Sequence, residues 1–237
     1  MNRRQLLNVQ PLCGSRRQLI VTIDGPAGAG KSTTAKALAA RLGYTYLDSG
    51  ALYRAVAWKM ALRGIDPIDE REVRDLLATT TIRLSKTNDH LSVMVDAQDV
   101  TDNLRAPDVG RLASVVATNP LIREWLLPLQ QEWGRRGGLV AEGRDMGTRV
   151  FPLADVKFFL DADVEIRAQR RLKDETQGAG SQSLDAVRAD LVERDVRDSS
   201  RDIAPLYPAS DAIMIDTSTR SLEQVVEEMV AAIAARQ

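Results

Sequence analysis

The sequence predicts an α/β fold: a parallel-sheet core with a glycine-rich phosphate loop, an inserted lobe and a helical lid. Three observations predict it. Short runs of branched residues alternate with stretches of helical apolar spacing, as in βαβ units. The first run, residues 19–23, leads directly into Gly25-Pro26-Ala27-Gly28-Ala29-Gly30-Lys31-Ser32, which fits G-x-x-x-x-G-K-[ST] in full. One alternating β-rich pair, at residues 81–84 and 91–95, interrupts the rhythm and marks an insertion.

Taken in order, residues 19–23 (Leu-Ile-Val-Thr-Ile) read as a buried strand and 31–42 as the helix after the loop. Residues 44–47 form a short second strand. Leu52, Val56 and Met60 then mark one apolar helical stripe. Residues 87–89 turn between the two strands of the β-pair. Residues 109–118 and 121–135 read as helices broken near Asn119 and Pro120, because proline disfavours helix in the residue before it. Residues 139–141 and 156–160 are further core strands. Residues 164–172 and 184–196 are helical and joined by a small polar stretch at 176–183. Residues 212–215 give the last strand and 222–235 a closing helix. The expected division is a core of 18–50, 136–168 and 203–237. The inserted lobe covers about 51–135 and a mobile lid about 169–202. Residues 1–17 read as a disordered extension, with arginines, no acid and no apolar signal core.

Composition narrows the function. A chain of 237 residues is long enough for one sizeable core with smaller inserted lobes. Its formal net charge of -1 gives no global basic field for nucleic acid or a membrane surface. No apolar run approaches the roughly 20 residues that span a bilayer. Cys13 is the only cysteine, so no internal disulfide forms and a reducing, cytoplasmic setting fits. His90 is the only histidine, which argues against a serine–histidine–aspartate hydrolase or a multi-histidine metal site. Neither residue carries assignable chemistry.

The loop residues explain one another chemically. Glycines let successive N–H groups converge on one anion, and the helix N-terminus adds its positive end. Lys31 brings a compact charge to the β- and γ-phosphates. Ser32 offers a hydroxyl to Mg²⁺, and Thr33 continues the cradle. This motif implies a nucleoside triphosphate but names no acceptor.

Three further clusters bear on the acceptor. Asp48, Ser49 and Gly50 follow the second strand, where ligands gather in open sheets. Ser49 is expected to cap the next helix and Asp48 to bind a partner. Tyr53 and Arg54, one turn on, suit a planar base and a phosphate; the alternative is a plain cap with a surface pair. Glu142, Arg144 and Asp145 follow the strand at 139–141. Glu142 would hold a water of the Mg²⁺ shell, Arg144 a phosphate and Asp145 a base amino group; the alternative is an exposed charged loop. Arg194, Asp198 and Arg201 are spaced to share one helical face with Arg197 nearby, and Arg167, Arg170 and Arg171 form a second face. Clustered arginines suit the charge spread over a transferring phosphoryl group; ordinary surface salt bridges are the alternative.

The stretches GPAGAGKS, LDSGALYR, RLASVVATNPLIRE, EGRDMGT and ERDVRDSSR together closely resemble the bacterial cytidylate kinase family, from about Ile20 to the closing helix. The resemblance implies a nucleoside-monophosphate-kinase fold that moves the γ-phosphoryl group of ATP to CMP or dCMP with Mg²⁺. It implies that Ser49, Tyr53, Arg54, Ser114, Arg123, Arg144, Asp145 and Asp198 bind the acceptor. Ser114 would lie near the cytosine and Asp198 at the pentose hydroxyls. Arg194 and Arg201 would clamp phosphates with Lys31, and Arg170 would lie near the donor. Many relatives carry Asp at the position of Glu142, and some carry Gly at that of Ser32. The expected partners are the nucleotides alone, with no nucleic acid or membrane, and the chain is expected to be a monomer. The rival readings are a phosphate-loop kinase of UMP, AMP or shikimate and a slow NTP-hydrolysing switch.

Overall fold

The structure is a computed structural model that describes residues 18–87, 90–176 and 183–236. Residues 1–17, 88–89, 177–182 and 237 lie outside the described residues, and with them most of the turn expected at 87–89, most of the polar stretch read at 176–183, and Cys13.

Five parallel strands form the core sheet in the order β2-β6-β1-β7-β8. They are β1 (Ile20–Asp24), β2 (Thr45–Asp48), β6 (Leu139–Glu142), β7 (Val156–Asp161) and β8 (Ile213–Asp216). Period two decides what each face buries. Val21, Ile23, Val140, Phe158 and Leu160 pack toward α1 (Lys31–Leu42) and α8 (Leu222–Ala234). Ile20, Leu139 and Ala141 face the other way, toward Met146, Val150, Phe151 and Trp133 of α5 (Pro120–Gly134). A strand set buried on both faces reads as near-continuous apolar residues, which is why these runs were legible.

The insertion has its own core. In it α2 (Ser49–Arg63), α3 (Glu70–Ala78), α4 (Pro107–Val116) and α5 pack around Leu52, Val56, Met60, Val73, Val116 and Ile122. A small antiparallel sheet, β3 (Ile82–Thr87), β4 (His90–Val95) and β5 (Gln98–Asp99), closes it. Three elements here were not read from the sequence: α3, β5 and a 3-10 turn at Asn103–Arg105. Helix α3 is short and mostly charged, with only Val73, Leu76 and Leu77 buried; β5 has two residues, too few to show a period.

Helix α6 (Val164–Thr176) and helix α7 (Leu184–Ser200) pack together beside the phosphate loop, with Ala168, Val187 and Leu191 meeting Ala27. Helix α7 ends at Ser200. Arg201 is extended there (φ -67°, ψ 142°), so the helical face expected to hold Arg194, Asp198 and Arg201 holds only the first two. The guanidinium of Arg201 turns to the carbonyl of Ala204 instead, at 2.6 Å. Among the described residues no helix is long and apolar enough to cross a membrane.

Candidate active site

The phosphate loop lies between β1 and α1. Gly25 has φ 145°, and a Cβ there would stand 1.9 Å from the carbonyl oxygen of Leu160, so β7 leaves room only for glycine. Gly30, at φ 84°, starts α1 without a side-chain cap, so the first N–H groups of the helix stay available for an anion. Lys31 is buried, and its Nζ donates to the loop's own Pro26 carbonyl at 2.6 Å. Burial, with Arg144 beside it, pushes the ammonium pKa down to about 7. A buried ammonium that neutralises this easily gains strongly from an anionic partner.

Ser32 and Glu142 meet across the loop. The Glu142 carboxyl accepts a hydrogen bond from Tyr46 Oη at 2.6 Å, and the Ser32 hydroxyl lies beside it. Burial and Asp48 hold this carboxyl above the usual range, against the pull of Lys31. On the open side of the loop, Gly28 to Thr34 line a second cleft with Arg170, Arg171 and Thr217. Arg170 is fixed there by Thr217, with bonds of 3.0 Å to Oγ1 and 2.6 Å to the carbonyl.

The residues expected on the acceptor side converge on one cleft reaching from Lys31 and Ser32 to Ser114 and Arg123. Ser49, Tyr53, Arg54, Ser114, Arg123, Glu142, Arg144, Asp145, Arg194, Asp198 and Arg201 all line it. One local expectation fails. The cap of α2 is Asp48, whose Oδ1 accepts from the Ala51 N–H at 3.0 Å. Ser49 is the first helical residue, and its hydroxyl donates to the Glu142 carbonyl at 2.7 Å. Aspartate and serine both cap helices, so their order in Asp-Ser-Gly left the choice to the tertiary contact with β6. Asp48 also binds Arg54, at 2.7 Å.

Arginines and carboxylates answer one another across this cleft. Arg144 Nε donates to Asp198 Oδ2 at 2.8 Å. Arg123 pairs with Asp145, lies 5.6 Å from the centre of the Tyr53 ring and donates to the Ala117 carbonyl at 3.0 Å. Arg201 lies 4.0 Å from Asp145 and 3.9 Å from Asp198. Burial opposes ionisation of Asp198, but Arg144 and Arg194 hold its pKa below the usual carboxylate range. Burial and Arg144 lower the pKa of Arg194 to about 10. Among the described residues, Arg194 Nε and Arg201 Nη2 are buried donors without a hydrogen-bond acceptor. Such donors are costly unless an anion answers them.

One buried group, Asp24, escaped the sequence reading, and so did the buried role of Arg167, which was read only as part of an arginine face. Asp24, the last residue of β1, accepts from the N–H groups of Met146 (2.8 Å) and Gly147 (2.7 Å). It anchors the segment that carries Arg144 and Asp145. The available signal was an acid ending an apolar run just before the loop. Arg167 donates to the carbonyls of Ala162 (2.9 Å) and Ala27 (3.0 Å) and to Asp195 (2.5 Å), tying α6 and α7 to the phosphate loop. Nothing in its sequence neighbourhood separates it from Arg170 and Arg171.

A parallel sheet, a phosphate loop after its central strand and an arginine-rich cleft at the strands' carboxyl ends define a phosphate-loop nucleotide-binding fold. The family described as cytidylate kinase matches residues 21–235, and the chain belongs to that family. It is 49% identical over 215 residues to a bifunctional pantoate ligase/cytidylate kinase of Synechococcus sp. (strain WH7803), covering 90% of this chain and 44% of that protein. It is 47% identical over 219 residues to the protein of the same description from Synechocystis sp. (strain ATCC 27184 / PCC 6803 / Kazusa), covering 91% and 43%. The chain thus spans less than half the length of these relatives. A crystal structure of an uncharacterized protein from Eubacterium ventriosum shares the fold at TM-score 0.50 and 13% identity, covering 92% of this chain and 99% of that one.

Proposed function

We propose that this chain transfers the γ-phosphoryl group of ATP to CMP or dCMP, giving ADP and the nucleoside diphosphate. The observation that carries this reading is one continuous cleft. It joins the phosphate loop to buried arginine donors and to a hydroxyl–guanidinium–carboxylate set at Ser114, Arg123 and Asp145. In this reading residues 51–135 bind the monophosphate and 169–202 close over it.

Phosphoryl transfer needs positioning and charge neutralisation more than covalent help. The attacking phosphate oxygen of the acceptor is already anionic near neutral pH, so no strong base is required. Lys31 leaves the Pro26 carbonyl for the donor's phosphates. Arg194 and Arg201, short of acceptors, clamp the transferring group between donor and acceptor. Arg54 and Arg144 hold the acceptor phosphate, and Asp198 meets the pentose hydroxyls. Tyr53 and Arg123 give the base a flat wall, and Asp145 accepts from its amino group. The Ser32 hydroxyl and the Glu142 carboxylate are hard oxygen donors side by side, which suits Mg²⁺. When bound, the ion neutralises charge on the donor phosphates. Glutamate, one methylene longer than aspartate, brings its carboxyl beside Ser32 here, and Tyr46 holds it.

The test is ADP production from ATP and Mg²⁺ with CMP, dCMP, UMP, AMP and shikimate supplied separately. Turnover with CMP and dCMP well above the others is expected. Rapid turnover with AMP or shikimate instead, or ATP loss independent of any acceptor, overturns the reading.

A further inference from the structure

Arg197 was part of the arginine cluster read from the sequence, and the mechanism above leaves it without a task. It sits on α7, yet its Nη1 crosses to α4 and donates to Ser114 Oγ at 3.0 Å. Its Nη2 pairs with Glu193 on the same helix, which leaves Nη1 for Ser114. The guanidinium borders a cavity of about 300 Å³ between α4 and α7, so tight packing does not force it onto the hydroxyl. Ser114 is 3% exposed and lines the acceptor cleft beside Arg123 and Asp145.

We propose that Arg197 is a specificity-positioning residue: it occupies a lone pair of Ser114, turns that hydroxyl's proton into the cleft, and so favours cytosine over uracil. This rests on the functional reading above. A guanidinium has donors only, so the hydroxyl must accept from it. A serine hydroxyl has one proton and two lone pairs, and filling one lone pair from outside frees the proton for a base acceptor. The nearby positive charge also favours an electron-rich atom at that point. The pairing edge of cytosine offers N3 and O2 as acceptors beside an amino donor. Ser114 as donor and Asp145 as acceptor match that order. Uracil presents an N3–H donor and an O4 acceptor in those places, which sets donor against donor and acceptor against carboxylate. A site built around buried polar groups rejects such an analogue because its own groups stay unpaired. The contact also spans α7 and α4, so the hydroxyl is oriented only when these helices are together.

The experiment compares kcat/KM for CMP and for UMP in the wild-type chain, Arg197→Met, Arg197→Lys, Ser114→Ala and the Arg197→Met/Ser114→Ala double variant. Arg197→Met keeps the aliphatic stem without donors, and the CMP-to-UMP ratio is expected to fall about 3–10-fold. Arg197→Lys, which still donates, is expected to retain most of the ratio. In the Ser114→Ala background, Arg197→Met should leave the ratio where Ser114→Ala alone puts it. Equal losses for both substrates would show a merely structural arginine and overturn the proposal. The same change of ratio without Ser114 would overturn it too, because the effect would not pass through that hydroxyl. If Arg197→Met does not fold, Arg197→Lys decides: a ratio as low as that of Ser114→Ala overturns the proposal. A wild-type chain with no CMP-dependent turnover would bring down the functional reading and this inference together. CMP turnover with an unchanged ratio in Arg197→Met would bring down this inference alone.

Discussion

Lys31 Nζ donates to the Pro26 carbonyl of its own phosphate loop at 2.6 Å. Replacing Lys31 or Arg201 by Ala is expected to lower kcat about 10²–10⁴-fold, the range for preorganised charge at phosphoryl transfer, as measured by steady-state ADP release. Normal turnover in Lys31→Ala would contradict the assigned role. Asp24 gives a pH signature. Burial raises its pKa from 3.8 to about 6, against the two amide hydrogen bonds and Lys31, with Asp145 adding to the rise. A raised folded-state value means that folding favours the protonated acid. Its stability contribution is therefore full below about pH 4 and lost as pH rises through about 6. The shift corresponds to roughly 3 kcal/mol. Asp24→Asn removes that titration while mispairing one amide N–H. Urea unfolding should show the wild-type chain losing roughly this much stability relative to Asp24→Asn between about pH 4 and pH 7. Parallel pH profiles would refute the assignment.

Among the elements, the boundary between α4 and α5 shows how a local signal and a tertiary contact combine. Asn119 caps α5 by accepting from the Leu121 N–H at 2.9 Å, and its amide donates to the Pro67 carbonyl at 2.8 Å. The sequence predicted the break at Asn-Pro, because proline disfavours helix in the residue before it; the structure adds that Asn119 caps α5 and Pro120 opens it. Asn119→Ala should cost about 1–2 kcal/mol and lower Tm by about 2–5 °C, measured by calorimetry. A Tm unchanged within a degree would show that neither bond counts. The end of α7 was not legible in this way. The i, i+4, i+7 spacing extended the helix through Arg201, but the chain leaves it there and bonds Arg201 to Ala204. The residue still reaches the cleft, now from an extended backbone.

At the scale of the molecule, the formal net charge of -1 hides a strongly uneven distribution. Arg54, Arg144, Arg194 and Arg201 border one cleft with Lys31, where Asp48, Asp145 and Asp198 are paired with arginines and Glu142 is held by Tyr46. A cleft lined by more basic than acidic side chains attracts an anionic ligand, and salt screens that attraction. Raising ionic strength from roughly 20 mM to roughly 300 mM should increase KM for CMP several-fold with little change in kcat. A salt-independent KM would show that these arginines are already neutralised by Asp48, Asp145 and Asp198. The packing of α6 and α7 on the phosphate loop through Arg167 belongs to this scale as well. It links Ala27, Asp195 and the helix that carries Arg194.

The sequence by itself determined the alternation that builds the sheet, the phosphate loop between β1 and α1, and the residue types that line the cleft. These follow from period, proline and glycine geometry, and a motif whose chemistry is contiguous in the chain. Only the tertiary structure decided which residues face one another. Asp24 meets the N–H groups of Met146 and Gly147 from 122 and 123 positions away, and Arg197 meets Ser114 across 83. It also decided that Asp48 and not Ser49 caps α2, because the Glu142 carbonyl on β6 takes the Ser49 hydroxyl. The physical reason is the same in each case. A hydrogen bond depends on distance and angle in space, and neither is encoded in the local run of residues that supplies only one of its partners.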